Sequence, residues 1–338
     1  MKANIFVILD VNYIKKLFNK KKLLYFPERR EVAITKIEIK KNSPVWAKET
    51  CLAEYKIFFD DGSVKMVRGT ASGKDSKRSV WLIMKYLKRH GLCVARPLDF
   101  ISQLNFFLYE EVMGVSLFEI FQAGESKKIE KVLKGAGNWL AKLHGFVPEK
   151  VFQPVLFLGA KDYGSAFKKI AKLAPRLKKY FLSFEELVRL DKISRERTVL
   201  IHNDFYPGNI ILASGDIYAI DFDKSGLGPP LMDVTLLFGW LDVARSVWKL
   251  GFRRNDIQRF QKIFLASYCK EAGLDYFEVR RSMNRFLVKV YLDQAYNYID
   301  MCVRSRKSLN SLDKKDFKKK IGIFLKRAGY YLRQENFS

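Results

Sequence analysis

Ile201-His202-Asn203-Asp204-Phe205-Tyr206-Pro207-Gly208-Asn209-Ile210, followed by Ile220-Asp221-Phe222-Asp223, decides the reading of this chain. Asp and Asn in a Pro-Gly segment are common turn formers, so either piece alone would say little. The two pieces come in order, and each lies beside an apolar run: Val199 to Ile201, Asn209 to Leu212 and Ile217 to Ile220. Such runs read as short adjacent strands, which bring an acid, an amide and a second acid onto two neighbouring loops.

That set matches the needs of phosphoryl transfer. The terminal phosphates of a nucleotide carry charge that a divalent cation and fixed cations must neutralise, while the attacking hydroxyl is held in line with the phosphorus. Asp204 suits the role of base and orienter of that hydroxyl. Asn209 and Asp221, with Asp223 as a possible helper, suit magnesium, which takes hard oxygen ligands and few of them from protein. The order His-x-Asp-x-x-x-x-Asn, then Asp-Phe, has the spacing of the protein-kinase catalytic and metal loops, with Asn203 in place of the usual Arg.

With these residues the chain resembles the aminoglycoside phosphotransferase and choline kinase group of kinase-like enzymes. The resemblance rests on His202 to Asn209, Ile220 to Asp223, Leu140-Ala141-Lys142-Leu143-His144, and Phe107 to Leu117, the last similar to that family's connection between lobes. It spans much of residues 50 to 240. It implies an α+β, two-lobed protein-kinase-like fold and an enzyme that uses ATP and Mg2+ to phosphorylate an alcohol group. It also implies backbone contacts from Glu110 to Met113, Glu111 and Val112 included, to the adenine. A Lys or Arg on the third strand of the small lobe would meet the phosphates. Counting from the Asp60-Asp61-Gly62 hairpin favours Arg68, with Lys65 as its rival; side chains alternate along a strand, so only one of them faces the nucleotide. His202 is expected to hold the loop's backbone, His144 to pack beneath the loop or simply in the core, and Asp233 to cap the next helix or tie the loop down.

Composition fits a large folded protein without naming its substrate. Among 338 residues, 48% are hydrophobic, enough for sizeable cores in two lobes. Cys51, Cys93, Cys269 and Cys302 lie far apart with no CxxC pair and read as reduced thiols. The apolar run Ile5 to Leu9 stops at Asp10, and no span is long enough for a bilayer, so a cytoplasmic protein, at most peripheral to a membrane, is expected. A net charge of +26 favours acidic partners, although a solvated basic surface explains it as well.

Three regions are expected: a basic N-terminal extension, 1–30, packed on the small lobe or partly mobile; a small nucleotide-binding lobe, 31–113; and a helical catalytic and substrate-binding lobe, 114–338. In the small lobe, Glu31 to Lys40, Ala53 to Phe59, Val64 to Arg68, Cys93 to Ile101 and Asn105 to Val112 read as strands, with a helix over Ser76 to Arg89. Helices follow at Lys128 to His144, around Ala166 to Leu190, and from Leu231 onward.

The pattern departs from the family in two places. Lys40 to Tyr55 contains no glycine, leaving Asn42-Ser43-Pro44 to make the turn, and the acid that usually pairs with the strand cation is missing, since Asp75 is the only acid between Gly73 and Arg96. Two classes of function therefore stay open. One is a phosphotransferase acting on a small molecule, sugar or glycan or lipid head group. The other is a non-catalytic kinase-like protein that binds nucleic acid, anionic membrane or a protein. Residues 241–338 hold about twice as many Lys and Arg as Asp and Glu, which repels polycations, so the acceptor is expected to be neutral or acidic. Phe317 to Tyr331 mixes basic and aromatic residues and reads as a helix with its aromatics inward or, less favoured, as a face for anionic lipid. Nucleic acid is the weaker partner.

Overall fold

The computed structural model describes residues 5–42, 49–73, 77–182, 184–191, 198–304 and 311–335. The turn expected at Asn42-Ser43-Pro44, past Asn42 itself, and the acid Asp75 lie outside the described residues. Two compact units emerge, one from Met1–Gly114 together with Ala213–Asp223, the other from Val115–Leu212 together with Lys224–Ser338.

The first unit is built on a five-stranded antiparallel sheet: β1 (Ile34–Lys41), β2 (Thr50–Phe59), β3 (Val64–Ser72), β4 (Pro97–Ile101) and β5 (Phe106–Glu110), in the order β1-β2-β3-β5-β4. The Asp60-Asp61-Gly62 hairpin joins β2 to β3, with Gly62 at φ +78, where a side chain would be strained. The strand expected from Cys93 begins only at Pro97, because proline cannot donate to a ladder and tolerates little beyond a strand's first position.

One face of this sheet is closed by the N-terminal segment. A 3-10 turn (Ile5–Leu9), α1 (Val11–Lys20) and α2 (Lys22–Tyr25) deliver Ile8, Ile14, Phe18, Tyr25 and Phe26 into a core with Tyr55, Ile57, Val67 and Phe106. Asp10 starts α1 by accepting the Tyr13 N–H at 2.9 Å. Burying each of these large side chains contributes roughly 1.5–3 kcal/mol. Polar ties fix the same layer: Lys21 and the Tyr25 hydroxyl meet Asp99 at 2.5 and 2.6 Å, and the Tyr55 hydroxyl donates to the Ile8 carbonyl at 2.9 Å. Lys15, Lys16 and Lys20 face water. The other side of the chain's patterning is α3 (Lys77–Arg89), whose Val80, Ile83, Met84 and Leu87 are buried.

The second unit is mainly helical. A strand pair, β6 (Val115–Ser116) with β8 (Ile210–Ala213), leads into α4 (Leu117–Gln122), whose Ser116 and Glu119 form a reciprocal cap. Then come α5 (Ser126–Gly145), α6 (Ala160–Leu173) and α7 (Phe184–Asp191); Pro175 opens a 3-10 turn where one long helix was expected. The strand β7 (Val199–Ile201) is wholly buried. Within the first unit's inserted segment, β9 (Asp216–Ala219) bridges Val94 through Ala219. β10 (Gly226–Gly228) pairs with β7. α8 (Leu231–Val243) is buried almost all round and is the core helix of this unit. α9 (Arg254–Ala272) packs against α5 so closely that a Cβ on Gly137 would lie 2.6 Å from the Phe264 carbonyl oxygen.

α10 (Tyr276–Arg304) and α11 (Ser311–Glu335) complete the unit. Phe324 and Tyr331 of α11 stack on Tyr291, and Phe317 meets Tyr298 edge-on. The aromatics of Phe317 to Tyr331 thus lie largely inward, with Tyr330 the exception at 43% exposed. Among the described residues no helix is long and apolar enough to cross a membrane.

Candidate active site

Two sets of residues hold the predicted chemistry, one on each unit. In the second unit, β7 ends at Ile201 and the loop turns sharply: Asn203 adopts φ +58, a conformation that asparagine tolerates better than most residues. A buried carboxylate holds the turn. Asp233, in the first turn of α8 and 0% exposed, accepts the His202 N–H at 2.7 Å and the Asn203 N–H at 2.6 Å. Its Oδ2 also lies 3.2 Å from His144 Nε2, and His144 Nδ1 is 3.0 Å from the Tyr268 hydroxyl. Of the two roles expected for Asp233, it performs the loop-tying one. His202 is buried between Trp139 and Phe205, which meet its ring edge-on.

So held, the loop presents Asp204. Asn209 is buried and donates its amide N–H to the Asp204 carbonyl at 3.0 Å, which leaves the amide oxygen as the end able to face a cation. Lys224 reaches the Asp204 carboxylate at 2.9 Å. Sequence reasoning passed over this lysine. It follows Asp221-Phe222-Asp223 directly, and its chain distance from Asp204 hides the pairing. Asp204 also lines a cavity of about 280 Å³ with Tyr206, Trp240, Trp248, Tyr291 and Lys224. Among the described residues Asp204 is the only acid on its walls.

In the first unit the strand cations separate as alternation requires. Lys65 pairs with Glu28 at 2.9 Å and approaches Glu110 at 3.9 Å, beside the N-terminal segment. Arg68 points the other way, with two hydrogen bonds to Glu111 and Glu54 within 3.8 Å. Burial raises the Tyr109 phenol above its ordinary value. Arg68 opposes that rise, and the carboxylates of Asp221 and Asp223 add to it, so all four groups share one neighbourhood. Asp221 itself sits at φ +65, a strained conformation of the kind that clusters at functional sites.

Three features of this set differ from expectation. Glu111, expected only for its backbone, also holds Arg68 with its side chain, while the Glu110 carboxylate meets Arg96 at 2.7 Å. The strand cation does have acidic partners, but they come from strands β2 and the end of β5 rather than from α3. The helix supplies a cation instead: Lys77, 4% exposed, meets Asp223 at 2.7 Å. The only signal for Lys77 in the sequence is weak: a lysine in the first turn of a helix opposes the helix dipole, and that turn holds no acid. Val112 is half-buried after β5, and the Glu111 N–H donates to the Met66 carbonyl at 3.0 Å.

The antiparallel unit with its helical N-terminal layer and α3, and the helical unit carrying Asp204 and Asn209 on a pinned loop, define a kinase-like phosphotransferase. The chain belongs to the phosphotransferase enzyme family, whose model matches residues 39–280. Among solved structures it is similar to an ethanolamine kinase from Plasmodium vivax, at 15% identity over 92% of this chain and 88% of that one, TM-score 0.57. It is similar to a choline kinase from Cryptosporidium parvum, at 13% identity over 96% of each chain, TM-score 0.60. An amicoumacin kinase solved with AMP-PNP, Ca2+ and Ami is similar at 16% identity over 94% of this chain and 95% of that one, TM-score 0.56. No curated protein sequence matches the chain.

Proposed function

We propose that this phosphotransferase moves the terminal phosphate of ATP to a hydroxyl of a small neutral or acidic acceptor, with a sugar or a glycan or glycolipid head group as the class that fits best. The observation that carries this reading is the cavity at Asp204. It joins one carboxylate to five aromatic side chains, so a polyhydroxylated ring can stack its C–H face on Trp240 or Trp248 while a hydroxyl reaches Asp204. A polycationic acceptor finds a single acid there, already paired with Lys224. The acid-poor cavity thus supports the charge argument against aminoglycosides. The aromatic walls also suit a quaternary ammonium alcohol, but the Lys224 ammonium disfavours that cation. Neither a membrane nor a nucleic acid is needed by this reading.

In the mechanism Asp204 orients the acceptor hydroxyl and accepts its proton as the phosphorus is attacked. Lys224 has to yield its contact with Asp204 Oδ1 to the incoming hydroxyl; its 59% exposure allows the ammonium to swing toward anionic oxygens instead. Lys77 and Arg68 supply the fixed positive charge for the nucleotide phosphates, with Lys77 the better buried of the two. Glu111 and Val112 contribute backbone groups to the base. The donor chemistry fits magnesium: the Asn209 amide oxygen and the carboxylates of Asp221 and Asp223 are hard oxygens, few in number, as that ion prefers. When bound, magnesium neutralises part of the phosphate charge.

The test is a panel of hydroxylated acceptors with labelled ATP, covering sugars, sugar phosphates, glycolipid head groups, choline and aminoglycosides, followed by Asp204→Asn on the best one. Turnover is expected to fall by roughly two to four orders of magnitude while MgATP binding, read by thermal shift, stays nearly intact. Strong transfer to an aminoglycoside and none to any sugar would overturn the acceptor assignment. An Asp204→Asn enzyme with unchanged turnover would remove Asp204 from the chemistry.

A further inference from the structure

A second and larger cavity in the helical unit, about 1120 Å³, lies among α8, α9, α10 and α11. Its basic lining residues are Arg245, Arg254, Arg280, Arg281 and Arg327, and its one acid is Asp242. That acid is engaged: Arg327 makes two hydrogen bonds to it, and the Tyr291 hydroxyl donates to it at 2.6 Å. Among the described residues the other four arginines have no carboxylate partner. Arg280 is nonetheless held in place, by Asn284 at 3.2 Å and by the face of Phe238 at 5.2 Å from its guanidinium carbon.

The type of cation matters as much as the number. Lysine outnumbers arginine about two to one along this chain, yet all five basic residues at the cavity are arginine. The general basic character of the protein would have placed mostly lysines there. Arginine offers a planar fork of donors that matches phosphate and carboxylate two bonds at a time. Like charges gathered in one concavity also repel one another, and a ligand of opposite sign relieves that repulsion. Exposed rings at the same cavity, Phe277 at 74% and Tyr330 at 43%, offer faces for a scaffold to lie on.

We infer that this cavity is a binding site for a polyanionic carbohydrate or polyol, a small scaffold carrying two or more phosphate or carboxylate groups. The inference does not depend on the acceptor assigned to Asp204, because the two cavities share no lining residue and the readout below is binding alone.

Inositol hexakisphosphate serves as the soluble probe, titrated by calorimetry into the wild type, into Arg245→Gln/Arg281→Gln, and into Lys15→Gln/Lys16→Gln. The last variant removes the same charge from exposed positions on α1. One site per chain is expected. The arginine variant should weaken binding roughly tenfold or more, and the lysine variant by no more than about twofold. Arg245 and Arg281 are exposed, so the fold should survive, and circular dichroism and melting temperature check that it does. Equal weakening in both variants would show only the field of a basic protein and overturn the site, as would absence of wild-type binding. A parallel arm uses phosphatidylglycerol vesicles in sedimentation. Vesicle binding lost in the arginine variant and displaced by the soluble probe supports the site and assigns it a lipid-borne ligand. No vesicle binding alongside probe binding supports it with a soluble one. Vesicle binding untouched by the arginine change, with weak probe binding, overturns it.

Discussion

The loop that carries Asp204 and the strands that carry Lys65 and Arg68 are held by ion pairs and hydrogen bonds of opposite character. Asp233 has no exposed surface, and its partners are backbone N–H groups and His144, itself 5% exposed. A carboxylate so buried is retained only because each acceptor position is used. Arg68 has 42% of its side chain exposed and its acids sit on neighbouring strands. Pairs of that kind are worth about 0–1 kcal/mol and exchange partners readily. The contrast suggests a division of labour. On the function proposed above, the loop assigned to align a hydroxyl is fixed by a buried carboxylate, whereas the cation assigned to the phosphates is stored on acids it can leave.

The comparison breaks first at Asp233. Replacing it, Asp233→Ala, strands two buried N–H groups and the His144 ring, and is expected to cost about 3–5 kcal/mol in urea unfolding, with activity falling further than stability alone explains. Asp233→Asn, keeping one acceptor oxygen, should cost less. A loss under about 1 kcal/mol for the alanine variant would show that the loop is held by something else.

Lys77 lies between the two extremes, since it is buried itself but pairs with an acid that is 46% exposed. Lys77→Met keeps the volume and leaves Asp223 in water, so melting temperature without ligand should hardly move, while MgATP should bind roughly tenfold or more weaker in fluorescence titration. Unchanged nucleotide affinity would confine Lys77 to the fold. The smallest effects belong to the strand. Arg68→Ala should weaken MgATP by a few-fold and Lys65→Ala by less, because Arg68 lies with Asp221 and Asp223 about Tyr109 whereas Lys65 pairs with Glu28 beside the N-terminal segment. The reverse order would place the nucleotide on the other face of the sheet.

What was legible in the sequence was what neighbours in the chain encode. The Asp60-Asp61-Gly62 hairpin, the strand alternation and the order of Asp204, Asn209 and Asp221 are all local patterns, and they sufficed for the fold class and the family. Lys77 and Asp223 are 146 residues apart, and Arg68 meets Glu111 from 43 residues away; no window on the sequence joins them. The arginines of the larger cavity are more dispersed still, drawn one or two at a time from the turn after α8 and from α9, α10 and α11, whose own patterns report only their packing faces. For the N-terminal layer the sequence left two alternatives open, packed or partly mobile, because its apolar residues come in segments of five to ten, too short for periodicity to distinguish a buried layer from a loosely attached tail.

The first unit is also discontinuous, and that bears on its birth at the ribosome. Residues up to Gly114 emerge first, but Ala213–Asp223, with the Ala219 bridge to Val94 and the Asp223 partner of Lys77, belong to the same unit. At ordinary elongation rates, about 5–20 residues per second, the intervening stretch takes roughly 5–20 s to be made. For that interval the first unit has its five-stranded sheet and N-terminal layer but lacks Ala213–Asp223, and Lys77 is without Asp223. The nascent chain therefore waits in a half-built state whose completion is timed by translation of the second unit, and a slow codon stretch between residues 114 and 213 would lengthen its exposure to chaperones and proteases.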